Sequence, residues 1–428
     1  HKKVDLNAYG EEDRKLLRHA FLFLVFHRFI PGFDALIADQ IEAGERSLPV
    51  GFAAHFIGLM EQYGFPHPDA LRCFELCFQI RRAYFFIQKN LVGRSPCMGK
   101  LRESLWNNVF THNIDWYDRF LWNRMEDFST LILGPTGAGK GTAAAAIGRS
   151  GYIPFDEDKK CFVISFARSL LAMNLSQFPA TLIESELFGH KKGAFTGAVE
   201  NYKGIFDRCS PFGAIFLDEI GEVSQSIQIK LLQVIQERTY APVGSHHASR
   251  FSGRVIAATN RPLEQLRAEG VLRDDFYYRL CSDVILLPGL ARRIQEDPLE
   301  LDDLLAHTVQ RILGKDSPEL TEMLRVIISR KPGSDYHWPG NVRELEQCVR
   351  RIILNHAYEP EQATGADDLA EELARGLRAG SLGGMELIYG YCFDLFRRLG
   401  TYEAVARRVR LDRRTVKKYV DGGRTMFG

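Results

Sequence analysis

Seven residues, Gly134-Pro135-Thr136-Gly137-Ala138-Gly139-Lys140, restrict this chain more than any other stretch. They follow a short apolar run, Leu131-Ile132-Leu133, and lead into Thr142-Ala143-Ala144-Ala145-Ala146, a strong helix former. Strand, glycine-rich turn and helix in that order open a parallel α/β sheet, because the helix must cross back before the next strand can pair. In the turn, glycines let successive backbone N–H groups curl around phosphate oxygens. The helix N-terminus adds positive potential, and Lys140 extends to the outer phosphates. Gly134 through Lys140 are therefore expected phosphate contacts, with Gly141 and Thr142 just behind them. Gly141 stands where most such loops carry Ser or Thr, which leaves Thr142 as the candidate hydroxyl for a magnesium shell.

A second strand of the same sheet reads Gly213-Ala214-Ile215-Phe216-Leu217-Asp218-Glu219. Four apolar residues suit a central buried strand, and the acids emerge at its carboxyl end, where open α/β sheets bind ligands. Asp218 is expected to orient Mg²⁺ through water, and Glu219 to polarise an attacking water. Arg254-Val255-Ile256-Ala257-Ala258-Thr259-Asn260 is a third such strand, and Asn260 can sense a γ-phosphate or water by hydrogen bonding.

At 428 residues the chain has room for about two to four domains, each able to bury a core. The pattern divides it into a helical N-terminal region over 1–90, which the family resemblance given below would make regulatory, an α/β subdomain over 91–290, a helical lid over 291–358, a linker over 359–384 and a terminal helical block over 385–428. In the first region Leu16, Leu17, Ala20, Phe21 and Leu24 recur at helical spacing, and Pro31-Gly32 and Pro66-His67-Pro68 are expected to break the run into several helices. Nothing there has the acidic pocket and later Lys of a phosphoacceptor domain, and the aromatic stripe is expected to be core rather than a ligand pocket. Cys73 and Cys77, four apart, suit apolar packing on one helix face better than a metal, since no histidine set lies near them. The eight scattered cysteines fit a reducing cytoplasm. No signal peptide is visible, and the apolar run from Ala20 to Phe26 is too short to cross a membrane. A first residue of His rather than Met points to a trimmed chain or to a piece of a longer protein.

Between the two nucleotide motifs lies Gly193-Ala194-Phe195-Thr196-Gly197-Ala198, preceded by Glu184-Ser185-Glu186-Leu187-Phe188-Gly189-His190-Lys191-Lys192. Its small residues build a mobile tip with little bulk, while Phe195 and Thr196 offer one apolar and one hydroxyl contact. With its flanking motifs this stretch resembles one family, the sigma-54-dependent transcriptional activators (bacterial enhancer-binding proteins, AAA+ ATPases). The likeness runs motif by motif over residues 92–357, with weaker support over 385–421.

The resemblance implies an AAA+ P-loop α/β fold with a helical lid, an all-α N-terminal domain and a C-terminal helix-turn-helix. It implies that Gly193 through Ala198 contact sigma-54, and that Val92 and Gly93 in Val92-Gly93-Arg94-Ser95-Pro96 border the adenine pocket. Asn174, opening a sixteen-residue register that ends at Gly189, falls on the Asn that holds the catalytic Glu. A rival alignment puts Phe166 there, which could not hydrogen-bond; with Asn174 chosen, the stretch before Ser169 is longer than the family norm. Leu272-Arg273-Asp274-Asp275-Phe276-Tyr277-Tyr278-Arg279-Leu280 matches the arginine-finger segment, so Arg273 and Arg279 would serve a neighbour's site. The alternative is two surface arginines pairing with Asp274 and Asp275. Trp338-Pro339-Gly340-Asn341-Val342-Arg343-Glu344-Leu345 matches the start of a lid helix, with Asn341 placed to cap it and Arg343 to reach the nucleotide.

Residues 401–428 carry eight basic side chains against three acidic ones. They read as a helix over 402–409, a turn at Arg410-Leu411-Asp412 and a second helix over 413–420, with Ala406, Val409, Leu411, Val416 and Val420 as packing residues. Arg413, Arg414, Thr415, Lys417 and Lys418 would then face DNA; a solvated basic helix is the alternative. Arg410 replaces the glycine usual in such a turn. The resemblance thus implies a cytoplasmic ATPase using ATP and Mg²⁺. It would form a ring, expected to be a hexamer, that binds upstream DNA and remodels sigma-54 polymerase. Its rivals are a regulator for which ATP is only a structural or signalling ligand, and an AAA+ remodeller of another substrate.

Overall fold

The computed structural model describes residues 9–333, 336–359 and 368–427, which divide into two compact units. The first holds the described residues up to Ile327 together with 336–356, and the second holds 328–333 and 357–427.

The first unit begins with α1 (Glu11–Ala43), α2 (Ala53–Gln62), α3 (His67–Ala83) and α4 (Pro96–Phe110). Pro31-Gly32, expected to break the first run, lies inside α1, which continues to Gly44 with its φ of 62°. The proline removes one backbone bond, but Val25, Phe29, Phe33, Leu36 and Ile37 line one buried face across it, and burying that face holds the helix together. By length and composition alone this 33-residue helix could cross a membrane. A helix packed into a protein core passes the same test; one face of α1 buries Phe29 and Phe33 among Phe52, Phe56 and Phe74, while Leu16, Phe23 and Leu24 are exposed and 28% of its apolar stretch is buried.

The sheet consists of β1 (Thr130–Leu133), β2 (Leu170–Asn174), β3 (Ala214–Asp218), β4 (Arg254–Thr259) and β5 (Asp283–Leu286), all parallel in the order β2-β3-β4-β1-β5. Successive side chains point to opposite faces, and the two faces feed separate cores. Leu131, Ile215, Leu217, Val255 and Ala257 pack with Leu187, Leu231 and Phe276 from α6 (Ala180–Phe188), α7 (Gln225–Glu237) and α8 (Asp274–Leu280). Ile132, Phe216, Ile256, Ala258 and Ile285 join α5 (Lys140–Gly148) in the other core.

That second core is continuous with α1 to α4, so the N-terminal helices share a layer with one face of the sheet. The extra stretch before Ser169 completes the join. It forms a hairpin of Phe155–Asp156 and Cys161–Phe162, with the Phe162 ring stacked 4.1 Å from Phe78 and the Phe155 ring edge-on 5.0 Å from Phe74. From α3, Arg82 donates to the carbonyls of Arg149 (2.7 Å) and Gly151 (2.7 Å), and Gln79 donates to that of Ser150 (2.9 Å). Cys73 and Cys77 pack in the same layer, and burial pushes the Cys73 thiol up to about 12. A lid of α9 (Leu290–Glu296), α10 (Leu299–Leu313) and α11 (Asn341–Asn355) completes the unit.

The second unit contains α12 (Asp368–Ala379), α13 (Gly384–Leu399), α14 (Tyr402–Val409) and α15 (Arg413–Phe427) around Leu369, Leu373, Cys392, Phe393, Val405, Val416 and Val420. Of the expected linker, 360–367 lie outside the described residues, whereas 368–379 form helix and contribute Leu369 and Leu373 to the core.

Candidate nucleotide site and flanking surfaces

Leaving β1, the chain turns through Gly137 (φ 76°) and Gly139 (φ 101°) into α5. A side chain at Gly137 would strike the carbonyl oxygen of Gly340 at 2.3 Å, so the lid requires glycine there. No side chain caps α5, which leaves its first N–H groups free for an anion. Lys140 is buried, its Nζ 3.1 Å from the Gly134 carbonyl oxygen. These groups open on a cleft of about 530 Å³ that brings together Thr136 to Thr142, Asn174, Asp218, Glu219, Val92 and Arg343. Gly134 and Pro135 instead lie beneath the loop, against Leu287 and Gly289. A side chain at Gly141 would meet only the Phe216 ring, at 3.9 Å, and Thr142 stays exposed beside it.

Asn174 and Asp218 are register partners at the carboxyl ends of β2 and β3. The Asn174–Glu219 contact implied by resemblance is not formed here. The Asn174 amide oxygen accepts from Ser176 N (3.0 Å) and Oγ (2.7 Å), while Glu219 accepts from the backbone N of Asn260 (3.4 Å). Glu219 holds a left-handed φ of 57°, a strained state for a residue with a side chain. Asn260 donates from Nδ2 to Thr136 Oγ1 (2.9 Å) and so joins the loop to the acidic strand. Phe166, the rival for the Asn174 position, is buried with its ring 5.5 Å from Phe86.

Asn341 does not cap α11. It sits inside the helix start with φ 55°, accepts from Leu290 N (2.7 Å) and donates to the Thr136 carbonyl (2.9 Å), tying the glycine loop to two lid helices. The cleft also contains residues that motif reading missed, notably Ser176, His307 and Arg311. Burial, and then the Arg311 charge, pulls His307 below its ordinary value. Both lie on a lid helix with no local signature, so only their spacing on α10 hints at them.

Beneath Val92, Gly93 has φ 133°, and a side chain there would strike Glu300 Oε2 at 2.5 Å. Glu300 is fully buried and pairs with Arg293 at 3.0 Å; Arg293 also donates to the Val92 carbonyl (2.7 Å), and Ser95 N donates to Glu300 (3.0 Å). The segment bordering the cleft is thus fastened to α9 and α10.

Arg273 and Arg279 lie outside the cleft. Arg273 makes a two-bond pair with Asp275 (3.0 and 2.7 Å), and Arg279 is exposed. Gly193 and Gly197 are exposed with φ of 79° and 99°, Thr196 is exposed, Ala194 half-buried, and the Phe195 ring stands edge-on 4.9 Å from His190. Ala198, expected as a contact, is buried and accepts from Gly193 N at 2.8 Å, closing the loop base.

In the second unit, Arg410 adopts φ 55° between α14 and α15, which ends at Phe427 rather than at 420. Val405, not Leu411, supplies the packing residue; Leu411 is exposed. Asp412 accepts from Arg414 N (2.9 Å), Thr415 N (3.0 Å) and the Thr415 hydroxyl, which hold its carboxyl below the usual range. Thr415 is therefore engaged in capping α15. Arg413 pairs with Glu403 (2.8 Å), and Arg414, Lys417 and Lys418 are exposed.

Residues 118–285 match the family described as Sigma-54 interaction domain, and residues 302–381 match the AAA+ ATPase lid domain. The Nif-specific regulatory protein of Azotobacter vinelandii is 36% identical over 285 residues, covering 65% of this chain and 47% of that protein. Nitrogen fixation protein AnfA of the same organism is 40% identical over 227 residues, covering 53% and 39%. The chain spans less than half the length of these two relatives. A crystal structure of NtrX from Brucella abortus aligns over 87% of this chain and 80% of its own, at 21% identity and a TM-score of 0.45.

Proposed function

The chain belongs to the sigma-54-dependent transcriptional activators, and from that premise we propose that it hydrolyses ATP to drive sigma-54 polymerase at a promoter from the closed to the open state. The observation that carries this reading is the single cleft in which the glycine loop and Lys140, the acids Asp218 and Glu219, and lid residue Arg343 converge.

Backbone N–H groups of 137–140 and the Lys140 ammonium bind the phosphates, while Leu91 and Val92 border the base. Asp218 and Thr142 both face the cleft and would hold Mg²⁺, which supplies charge neutralisation across the β- and γ-phosphates. Glu219 takes up a proton from the attacking water, and Asn260, bonded to both Thr136 and Glu219, reports the state of the γ-phosphate. Arg273 and Arg279 serve a neighbouring subunit, which makes the working form a ring, a hexamer in this reading. The break of the Arg273–Asp275 pair then accompanies assembly.

The 193–198 loop is the output. Hydrolysis would shift β2 and β3 relative to the lid and release Phe195 from His190 towards sigma-54. In the second unit, α14 and α15 form a helix-turn-helix whose Arg413, Arg414, Lys417 and Lys418 meet upstream DNA in the cytoplasm.

The test is steady-state ATP hydrolysis against protein concentration, with and without sigma-54 polymerase on DNA already melted at the start site. A rate per chain that climbs steeply with concentration, and that vanishes in Glu219→Gln while ATP binding persists, supports the reading. A flat, negligible rate with normal ATP binding would favour a regulator that only binds the nucleotide.

A further inference from the structure

At the amino ends of the strands, away from the nucleotide cleft, lies a second cavity of about 470 Å³. Sites for small molecules span roughly 300–1,000 Å³. Its walls come from both halves of the shared layer: Tyr117, Trp122 and Tyr152 on one side, Ile147, Phe212 and Ala214 on the other. The Trp122 and Tyr152 rings meet edge to face at 4.7 Å.

Arg254, Tyr117, Gln79 and Tyr152 in this wall are already engaged, and the Glu126 carboxylate lines it as well. Arg254 bonds through Nε to the Phe128 carbonyl (2.9 Å), through Nη1 to the Asn108 carbonyl (3.1 Å) and through Nη2 to Thr130 Oγ1 (3.1 Å). Tyr117 and Gln79 bond each other (2.9 Å), and Tyr152 donates to Glu75. An anion would lose its hydration and meet the Glu126 carboxylate, while the Arg254 guanidinium is already committed to three acceptors. An uncharged ring system would gain the apolar and aromatic contacts on offer.

The position matters as much as the lining. Ile147 and Gly148 end the helix that Lys140 begins, a span of about 13 Å. Ala214 begins the strand that Asp218 ends, also about 13 Å away. Arg82 and Gln79 of α3 hold the carbonyls of 149–151 directly beside it. A guest here touches the N-terminal region and the far ends of both elements that carry the phosphate-binding and acidic side chains.

We propose that this cavity binds a small, mainly apolar molecule of one or two rings that carries no negative charge, and that its occupancy changes the affinity of the nucleotide cleft. The second half of the proposal rests on the ATP reading above. The N-terminal helices thus act on the engine through a ligand wedged against the end of α5.

The test uses the full chain and 2-naphthol as the probe, followed by titration calorimetry with and without an ATP analogue. Gly151→Leu fills the cavity: a side chain there would first meet only the Gly148 and Phe212 carbonyl oxygens, at 3.8 and 3.9 Å. Trp122→Ala instead removes a wall, and keeps the proposal testable where Gly151→Leu fails to fold. Saturable binding of one probe per chain is expected, weakened about tenfold or more in each variant. Saturating probe should shift the wild-type ATP-analogue affinity about fivefold or more. Absence of saturable binding, or undiminished binding in the folded variants, overturns the site. Binding with an unchanged analogue affinity overturns the coupling. A chain that takes up probe but no ATP analogue keeps the site and sinks the ATP reading instead.

Discussion

Removing the Glu300 carboxylate should uncouple the segment bordering the cleft from the lid. In Glu300→Ala, Arg293 keeps its charge at 3% exposure and loses its carboxylate partner at 3.0 Å. Breaking a buried pair from one side destabilises by about 3–5 kcal/mol, because the remaining charge stays buried and uncompensated. The backbone N of Ser95 also loses its acceptor, adding about 1–3 kcal/mol for an unsatisfied buried group. Against a total stability of about 5–15 kcal/mol for a domain, the loss is large. Urea unfolding should show it as a lower midpoint, and ATP-analogue titration should show weaker binding, since Val92 and Gly93 are held less firmly. The double variant Arg293→Met, Glu300→Leu removes both charges and should recover most of the lost stability. If Glu300→Ala unfolds at the wild-type midpoint, or the double variant is as unstable as the single one, the buried pair is not what holds this segment.

Thr196→Ala changes an exposed side chain at the loop tip, so ATP turnover should persist while open-complex formation on a sigma-54 promoter falls; equal loss of both would remove the loop from its output role. Lys417→Ala should weaken DNA binding about equally across sequences and lower the salt slope by about 0.9, measured by fluorescence anisotropy at several salt concentrations. His67 bonds Glu61 (2.7 Å) and Glu157 (3.1 Å), and these raise its pKa. A raised folded-state value makes this tie fully present below the unfolded value, about 6.5, and loses it as pH climbs through the folded value. Thermal unfolding of wild type against His67→Gln should converge above that range and diverge below it.

Much of the cleft was legible because its chemistry is local. A glycine loop, a strand ending in Asp218-Glu219 and a strand ending in Asn260 each advertise themselves within a few residues. The partners that complete them did not. Asn341 looked like a helix cap, yet its amide reaches Thr136, about two hundred residues away in sequence. His307 and Arg311 enter the cleft only because α10 lies across it. The same distance hid the purpose of the stretch before Ser169: nothing within it announces that Phe155 and Phe162 fill an aromatic cluster built by α1 to α3.

Local sequence pattern alone determined the parallel sheet, the glycine loop before α5, the acids at a strand end, the exposed loop tip and the basic terminal helix. Each is a short-range property of side-chain spacing and backbone freedom. Tertiary structure alone decided that α1 continues through Pro31, that the N-terminal helices share a layer with the sheet, and that Glu300 and Arg293 fasten the rim of the cleft. These outcomes depend on the summed burial and pairing of groups far apart along the chain, which local preference neither encodes nor opposes strongly enough to prevent.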